Sequence, residues 1–162
     1  VPNRRSFDQR FKEELNRASR YGGAFSLVVI DLDYFKHVND AYGHLAGDRV
    51  LRAVAQLLDE EKRASDFFAR YGGEEFVFLL PETQAEQVRV LAEKMRKRVE
   101  DARFRYEKES LRITVSAGVG TLNSSEETGD ALFARVDSAL YFAKEMGRNR
   151  VEMAGPRLGM ID

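Results

Sequence analysis

The stretch FARYGGEEFVFLLP, residues 68–81, places Gly72-Gly73 and Glu74-Glu75 between two runs of apolar and aromatic residues. Glycines between strand-like runs predict a tight hairpin, and Pro81 ends its second strand. Only antiparallel strands can be joined this way, so the stretch argues against a purely parallel, doubly wound sheet. Taken alone, Glu74 and Glu75 read as solvated acids at a turn. The question is whether other residues give them company.

Working outward, the sequence alternates helix and strand. Ser6 and Gln9 make a capping box for a helix from about Ser6 to Tyr21, with Phe7, Phe11, Leu15 and Ala18 on one face. Gly22-Gly23 breaks it, and AFSLVVIDLD (24–33) reads as a largely buried strand ending in two carboxylates. Phe35, Val38 and Tyr42 anchor a short helix, Gly43 and Gly47 open a loop, and a longer helix starts near Asp48 with Val50, Leu51, Val54, Leu57 and Leu58 as its core stripe. Thr83 with Glu86 heads a helix reaching about Arg103. Leu111 to Leu122 reads as a strand, NSSEETGD (123–130) as a polar loop, ALFARVDSALYFAKEMG (131–147) as a helix stopped by Gly147, and RVEMAG (150–155) as a short last strand. The expected fold is α+β, with a central, mainly antiparallel or mixed sheet flanked by helices.

Composition narrows the function. The 162 residues are 43% hydrophobic, enough for one core, and the default is a single domain over residues 1–162. Lys plus Arg (26) nearly balance Asp plus Glu (27), so bulk charge does not favour nucleic acid as a partner. The absence of cysteine excludes disulfides, thiolate metal sites and a Cys nucleophile. No apolar run approaches a membrane span, which leads us to expect a soluble, cytoplasmic chain, anchored to a membrane only through segments elsewhere in the full-length protein.

If the first strand lies beside the hairpin, Asp31 and Asp33 meet Glu74 and Glu75 at one sheet edge. Carboxylates converging without His or Cys form a hard-oxygen site suited to Mg²⁺, which takes its remaining ligands from water and phosphates. Gly72 and Gly73 would let a ligand approach the backbone. Lys36, five residues after Asp31, and Lys144 and Arg148, spaced i, i+4 near a helix end, are cations for phosphate oxygens. Asn39 and Asp48 could pair with a guanine edge, the carboxylate accepting from N1 and the exocyclic amine. Local sequence alone makes Asp48 a helix N-cap and Asn39 a turn residue. His37 and His44 have no spacing that suggests zinc or a catalytic triad.

At this point the chain resembles the GGDEF domain of bacterial diguanylate cyclases. The signature stands as Gly72-Gly73-Glu74-Glu75-Phe76, its GGEEF form. VPNRRSF (1–7) resembles the end of the family's D-x-L-T-G-L-x-N-R-R motif, and DLDYFKHVNDAYGHLAGD (31–48) its D-x-D-x-F-K-x-x-N-D-x-x-G-H-x-x-G-D block. ITVSAGVG (113–120) resembles the T-x-S-x-G-V strand, and DSALYFAKEMGRNRV (137–151) the D-x-A-L-Y-x-A-K-x-x-G-R-N-x-V ending. The resemblance implies an adenylyl-cyclase-like, polymerase-palm-like fold and Mg²⁺-dependent condensation of two GTP into cyclic di-GMP and two pyrophosphates, with Mn²⁺ as an alternative metal. By matching position it implies that Asp31, the Leu32 carbonyl and Glu74 hold metal, with Glu74 also activating the 3′-hydroxyl and Glu75 supporting a second metal or the site's geometry. Lys36 becomes a transition-state cation, Lys144 and Arg148 triphosphate contacts, Asn39 and Asp48 guanine readers, and His44 a lining residue. One GTP per chain implies a homodimer, and an opening that begins inside the first motif implies a sensor or receiver domain upstream.

The resemblance also gives meaning to Arg63-x-x-Asp66, with five residues between Asp66 and Gly72 of the signature. That spacing matches the family's product-inhibition site, where cyclic di-GMP binds. Lys94 stands where some members have a supporting arginine, and it cannot make the same planar fork, so weaker inhibition is expected. The alternative is a module that binds GTP or cyclic di-GMP without turnover, and a further one is a cyclase for another nucleotide, against which Asp48 argues.

Overall fold

The computed structural model describes residues 1–122 and 127–155. In chain order the elements are α1 (Arg4–Tyr21), β1 (Phe25–Leu32), α2 (Phe35–Tyr42), α3 (His44–Glu61), β2 (Phe67–Arg70), β3 (Glu75–Pro81), α4 (Ala85–Asp101), β4 (Phe104–Tyr106), β5 (Glu109–Leu111), β6 (Val115–Thr121), α5 (Gly129–Glu145) and β7 (Val151–Met153). Part of the 123–130 loop, residues 123–126, lies outside the described residues.

The hairpin at Gly72-Gly73 forms as read, β2 pairing antiparallel with β3. β1 then joins β3 with Asp31 opposite Glu75, and β6 on its other side with Asp31 opposite Ser116. The five-stranded order is β2-β3-β1-β6-β7, antiparallel throughout except for β6 with β7. The sheet is therefore mixed, and the fold α+β.

All eight residues of β1 are buried, as a central strand covered on both faces must be. Alternation sends Val28, Ile30 and Leu32 to one face, with Phe76, Phe78 and Leu80 of β3 and the apolar stripes of α3 and α4. Leu27 and Val29 face the other way, against Phe7 of α1 and Leu132, Val136 and Leu140 of α5. Gly118 on β6 lets α5 approach closely, because a Cβ there would stand 2.2 Å from the Val136 carbonyl oxygen.

Several boundaries differ from the sequence reading. Asn3, not Ser6, caps α1, its Oδ1 accepting from the Ser6 N–H at 3.0 Å. Only Gly43 interrupts the chain between α2 and α3, which starts at His44, so Gly47 and Asp48 lie inside the helix and Asp48 is not its cap. Asn39 is likewise helical, within α2, rather than a turn residue. Gln84 and Gln87 form the box that caps α4, and Thr83 Oγ1 donates instead to the Pro81 carbonyl at 2.9 Å. Leu111 belongs to the separate β4–β5 hairpin, and β6 begins at Val115.

Candidate active site

The register dictates the site. Strand β1 delivers Asp31 to one edge of the sheet, where it meets Glu75 at the first residue of β3, and the Leu32 N–H donates to the Glu74 carbonyl at 3.2 Å. A pocket of about 500 Å³ opens there, lined by Asp31, Phe35, Asn39, Asp48, Arg70, Gly73, Glu74 and Glu75 among others. Carboxylates from β1 and the hairpin thus face the polar residues of α2 and α3 across one cavity.

The acids are held under electrostatic tension. Burial raises the Asp31 carboxyl above the usual range against the opposing hydrogen bond and charge of Lys144, and Asp33 adds to the rise. Burial likewise raises Glu74 and Glu75, with the charge of Asp31 next in weight for both and Lys144 opposing it. Like charges in a partly desolvated cleft call for a cation, and Lys144 supplies one by an ion pair with Asp31 Oδ2. The other oxygen, Asp31 Oδ1, is buried and accepts no hydrogen bond.

That orphaned oxygen is the test of whether a divalent metal fits. A buried carboxylate oxygen without a donor, beside two further carboxylates of raised pKa, is the donor set a hard cation takes. Among the described residues no three His, Cys, Asp or Glu side chains stand together as a ready-made cage. The residues therefore fit a metal that draws its remaining ligands from backbone oxygen, water or phosphate, and do not fit an all-protein cage.

The other expected residues divide. Gly72 lines an adjoining cavity of about 850 Å³ between the hairpin, the N-terminal segment and α3. Lys36 on α2 and His44 at the start of α3 are exposed and do not line the 500 Å³ pocket. Arg148 does not share a helical face with Lys144. It lies past the end of α5 in a left-handed turn (φ 63°), its guanidinium 4.6 Å from the centre of the Tyr34 ring. Arg63 is paired bidentately with Asp66, at 3.0 Å through Nη2 and 3.2 Å through Nε, and also bonds Thr83 Oγ1. The Asp66 side chain is fully buried, half-exposed Arg63 lying across it. Lys94 pairs with Glu61 at 3.3 Å.

Sequence reading missed Arg70. Its Nε donates to the Gly72 carbonyl at 3.2 Å and its Nη2 to that of Gly73, which fastens the hairpin tip, while its backbone N–H holds the Pro2 carbonyl at 2.8 Å. An arginine two residues before a glycine pair in a strand is the only signal of this in the sequence.

Comparison with known proteins gives the same family from three directions. The family described as "Diguanylate cyclase, GGDEF domain" matches residues 1–150. The chain is 47% identical over 154 residues to the diguanylate cyclase DgcP of Pseudomonas aeruginosa, covering 95% of this chain and 23% of that protein. It superposes with a TM-score of 0.90 on the GGDEF domain of DgcB from Caulobacter crescentus in complex with c-di-GMP, at 37% identity over 94% of this chain and 88% of the other. It matches the active GGEEF domain of a diguanylate cyclase from Vibrio cholerae with a TM-score of 0.89, at 36% identity over 96% and 98% of the two chains. The chain spans between 23% and 38% of the length of the first curated relatives it matches.

Proposed function

Because this chain belongs to the GGDEF diguanylate cyclase domain family, we propose that it condenses two GTP into cyclic di-GMP. Each 3′-hydroxyl attacks the other nucleotide's α-phosphate, the bond from that phosphorus to the bridging oxygen breaks, and pyrophosphate leaves with the electron pair. The observation that carries this reading is the convergence of Asp31, Glu74 and Glu75 with Asn39 and Asp48 on one pocket of about 500 Å³.

Asp48 accepts from guanine N1–H and the exocyclic amine, and the Asn39 amide pairs with the same base. Adenine lacks those donors, so the pocket prefers GTP to ATP. Asp31, the Leu32 carbonyl and Glu74 would hold Mg²⁺, or Mn²⁺ in its place, with Glu75 supporting a second ion or the geometry of the first. When bound, the ion neutralises phosphate charge and lowers the pKa of the attacking hydroxyl. Glu74 takes the hydroxyl proton as general base. Lys144, held beside Asp31 by their ion pair, and Arg148 meet the triphosphate, while Lys36 reaches in from the exposed face of α2. Positioning and charge neutralisation supply most of the acceleration of phosphoryl transfer.

One site holding one GTP has only half of the ring to make, so two copies face each other. An upstream sensor or receiver domain would govern that encounter, in the cytoplasm, and no helix among the described residues is long and apolar enough to cross a membrane. Arg63 and Asp66 bind the product, the arginine swinging off the buried carboxylate to admit a guanine edge, with Lys94 a weaker supporter than arginine.

The test is incubation of the purified chain with GTP and Mg²⁺, and with ATP in parallel, followed by chromatography of the products. Cyclic di-GMP from GTP alone, abolished by Glu74→Gln, is expected. GTP bound but unconverted at high protein concentration would leave a binding module instead.

A further inference from the structure

The second carboxylate of the 31–33 pair has no part in the chemistry above, yet it is the more thoroughly engaged of the two. Asp33 is 3% exposed. Its Oδ1 accepts from the Ser116 hydroxyl at 2.6 Å, and its Oδ2 accepts from the Thr114 hydroxyl at 2.7 Å and the Asn149 N–H at 2.9 Å. Its own N–H donates to the Thr114 carbonyl at 2.8 Å.

The last of those side-chain bonds joins two distant segments. Arg148 and Asn149 both hold left-handed backbone conformations, φ 63° and 47°, which non-glycine residues rarely adopt without outside support. Asp33 grips the turn from the sheet. The Asn149 side chain grips it from α4, accepting from Arg96 at 2.8 Å and donating to Glu100 at 2.5 Å. On the other side of Asp33 the chain turns left-handed again at Tyr34 (φ 55°), whose ring carries the Arg148 guanidinium, and then enters α2 with Lys36. Both cation-bearing segments leave from one buried carboxylate.

We propose that Asp33 is a positioning residue for triphosphate recognition: it fastens the Arg148–Asn149 turn to the strand end that leads into Tyr34 and Lys36, and so fixes where the Arg148 guanidinium stands. The inference rests on the reading above that Arg148 meets the triphosphate. It adds what holds the arginine there.

In the Asp33→Asn variant the Ser116 and Thr114 hydroxyls can turn to accept from the new amide, but the Asn149 N–H, which can only donate, loses its charged acceptor whichever way the amide turns. Calorimetric titration of GTP and of GMP, each with Mg²⁺, reads the consequence. Asp33→Asn is expected to weaken GTP by about tenfold, the scale of one hydrogen bond to a charged group, and GMP by less than about twofold. Arg148→Ala should lower the same GTP-to-GMP ratio, and the double variant should lower it no further than Arg148→Ala alone. Equal weakening of both nucleotides by Asp33→Asn, or additive losses in the double variant, overturns the inference. Should Asp33→Asn fail to fold, Asp33→Ser carries the test: its shorter, uncharged side chain withdraws the carboxylate from the Asn149 N–H and is expected to lower the ratio, whereas an unchanged ratio overturns the inference. If Arg148→Ala leaves the ratio unchanged, the phosphate role of Arg148 is wrong and this inference falls with it. If Arg148→Ala lowers the ratio and Asp33→Asn does not, only the positioning role falls.

Discussion

Replacing Gly47 by alanine separates folding from recognition at a single atom. A Cβ at Gly47 would stand 1.8 Å from Asn39 Oδ1, 3.0 Å from Asn39 Cγ and 3.1 Å from Phe35 Cζ, so the Asn39 amide must rotate away. Gly47 lies inside α3, where alanine is favoured over glycine by about 1 kcal/mol. Forcing the displaced amide off its rotamer costs on the order of 0.5–1.5 kcal/mol. The two effects nearly cancel, and Tm should move by no more than about 4 °C. Binding has no such compensation. Losing one or two amide–guanine hydrogen bonds removes about 1–3 kcal/mol, or roughly 5- to 150-fold in affinity for GTP. Differential scanning calorimetry and titration of GTP with Mg²⁺ on the same preparation measure both. Unchanged GTP affinity in a stably folded Gly47→Ala protein would refute the placement of Asn39 as a guanine reader.

Further expectations follow from the same geometry. Arg70→Ala frees the carbonyls of Gly72 and Gly73 and should lower kcat by about tenfold while shifting Tm by less than about 3 °C, in steady-state assays beside thermal melts. Glu75 has a raised pKa in the folded chain, so the folded state binds the proton more tightly and stability falls as pH rises from the ordinary carboxylate range through the raised value. Glu75→Gln should therefore raise Tm at pH 8 by about 1–2 °C, allowing for solvent screening, and flatten its decline from pH 5, in melts without divalent metal. Arg63→Ala should leave initial rates intact and let turnover continue as cyclic di-GMP accumulates, whereas wild type slows, as product time courses would record. Arg135 bonds Glu127 at 2.8 and 3.0 Å and the carbonyls of Thr121 and Gly155 from a buried position, so Arg135→Ala should cost about 3–5 kcal/mol in denaturant unfolding.

Much of this was legible in residues 68–81 and in the apolar run before Asp31. A glycine turn between two short apolar runs admits only an antiparallel pair, and a strand without a polar face must be central; that the two are neighbours, with Asp31 opposite Glu75, comes from the structure. What escaped the sequence was set by tertiary contact. Gly47 looked like a loop residue because glycine is a poor helix former, yet it sits in α3 because the Asn39 side chain fills the space of its missing Cβ. Arg148 looked like the next residue along a helix face, and nothing local announces the left-handed turn that Asp33 holds. The β4–β5 hairpin turns at Glu107, which takes φ 55° without the usual Asn-Gly signal. His44 acquired a role only through family resemblance, and neither it nor Lys36, read from its spacing after Asp31, lines the pocket.

The central claim is that two copies must each contribute an intact site to close one ring. Wild-type chain can be mixed with Glu74→Gln chain at fixed total concentration, and cyclic di-GMP measured against the linear dinucleotide. If both halves are needed, an equal mixture makes cyclic product at about a quarter of the wild-type rate, as random pairing in a two-fold dimer requires, with linear dinucleotide accumulating. A fall to about a half, with no linear species, would mean that a single chain completes the ring alone.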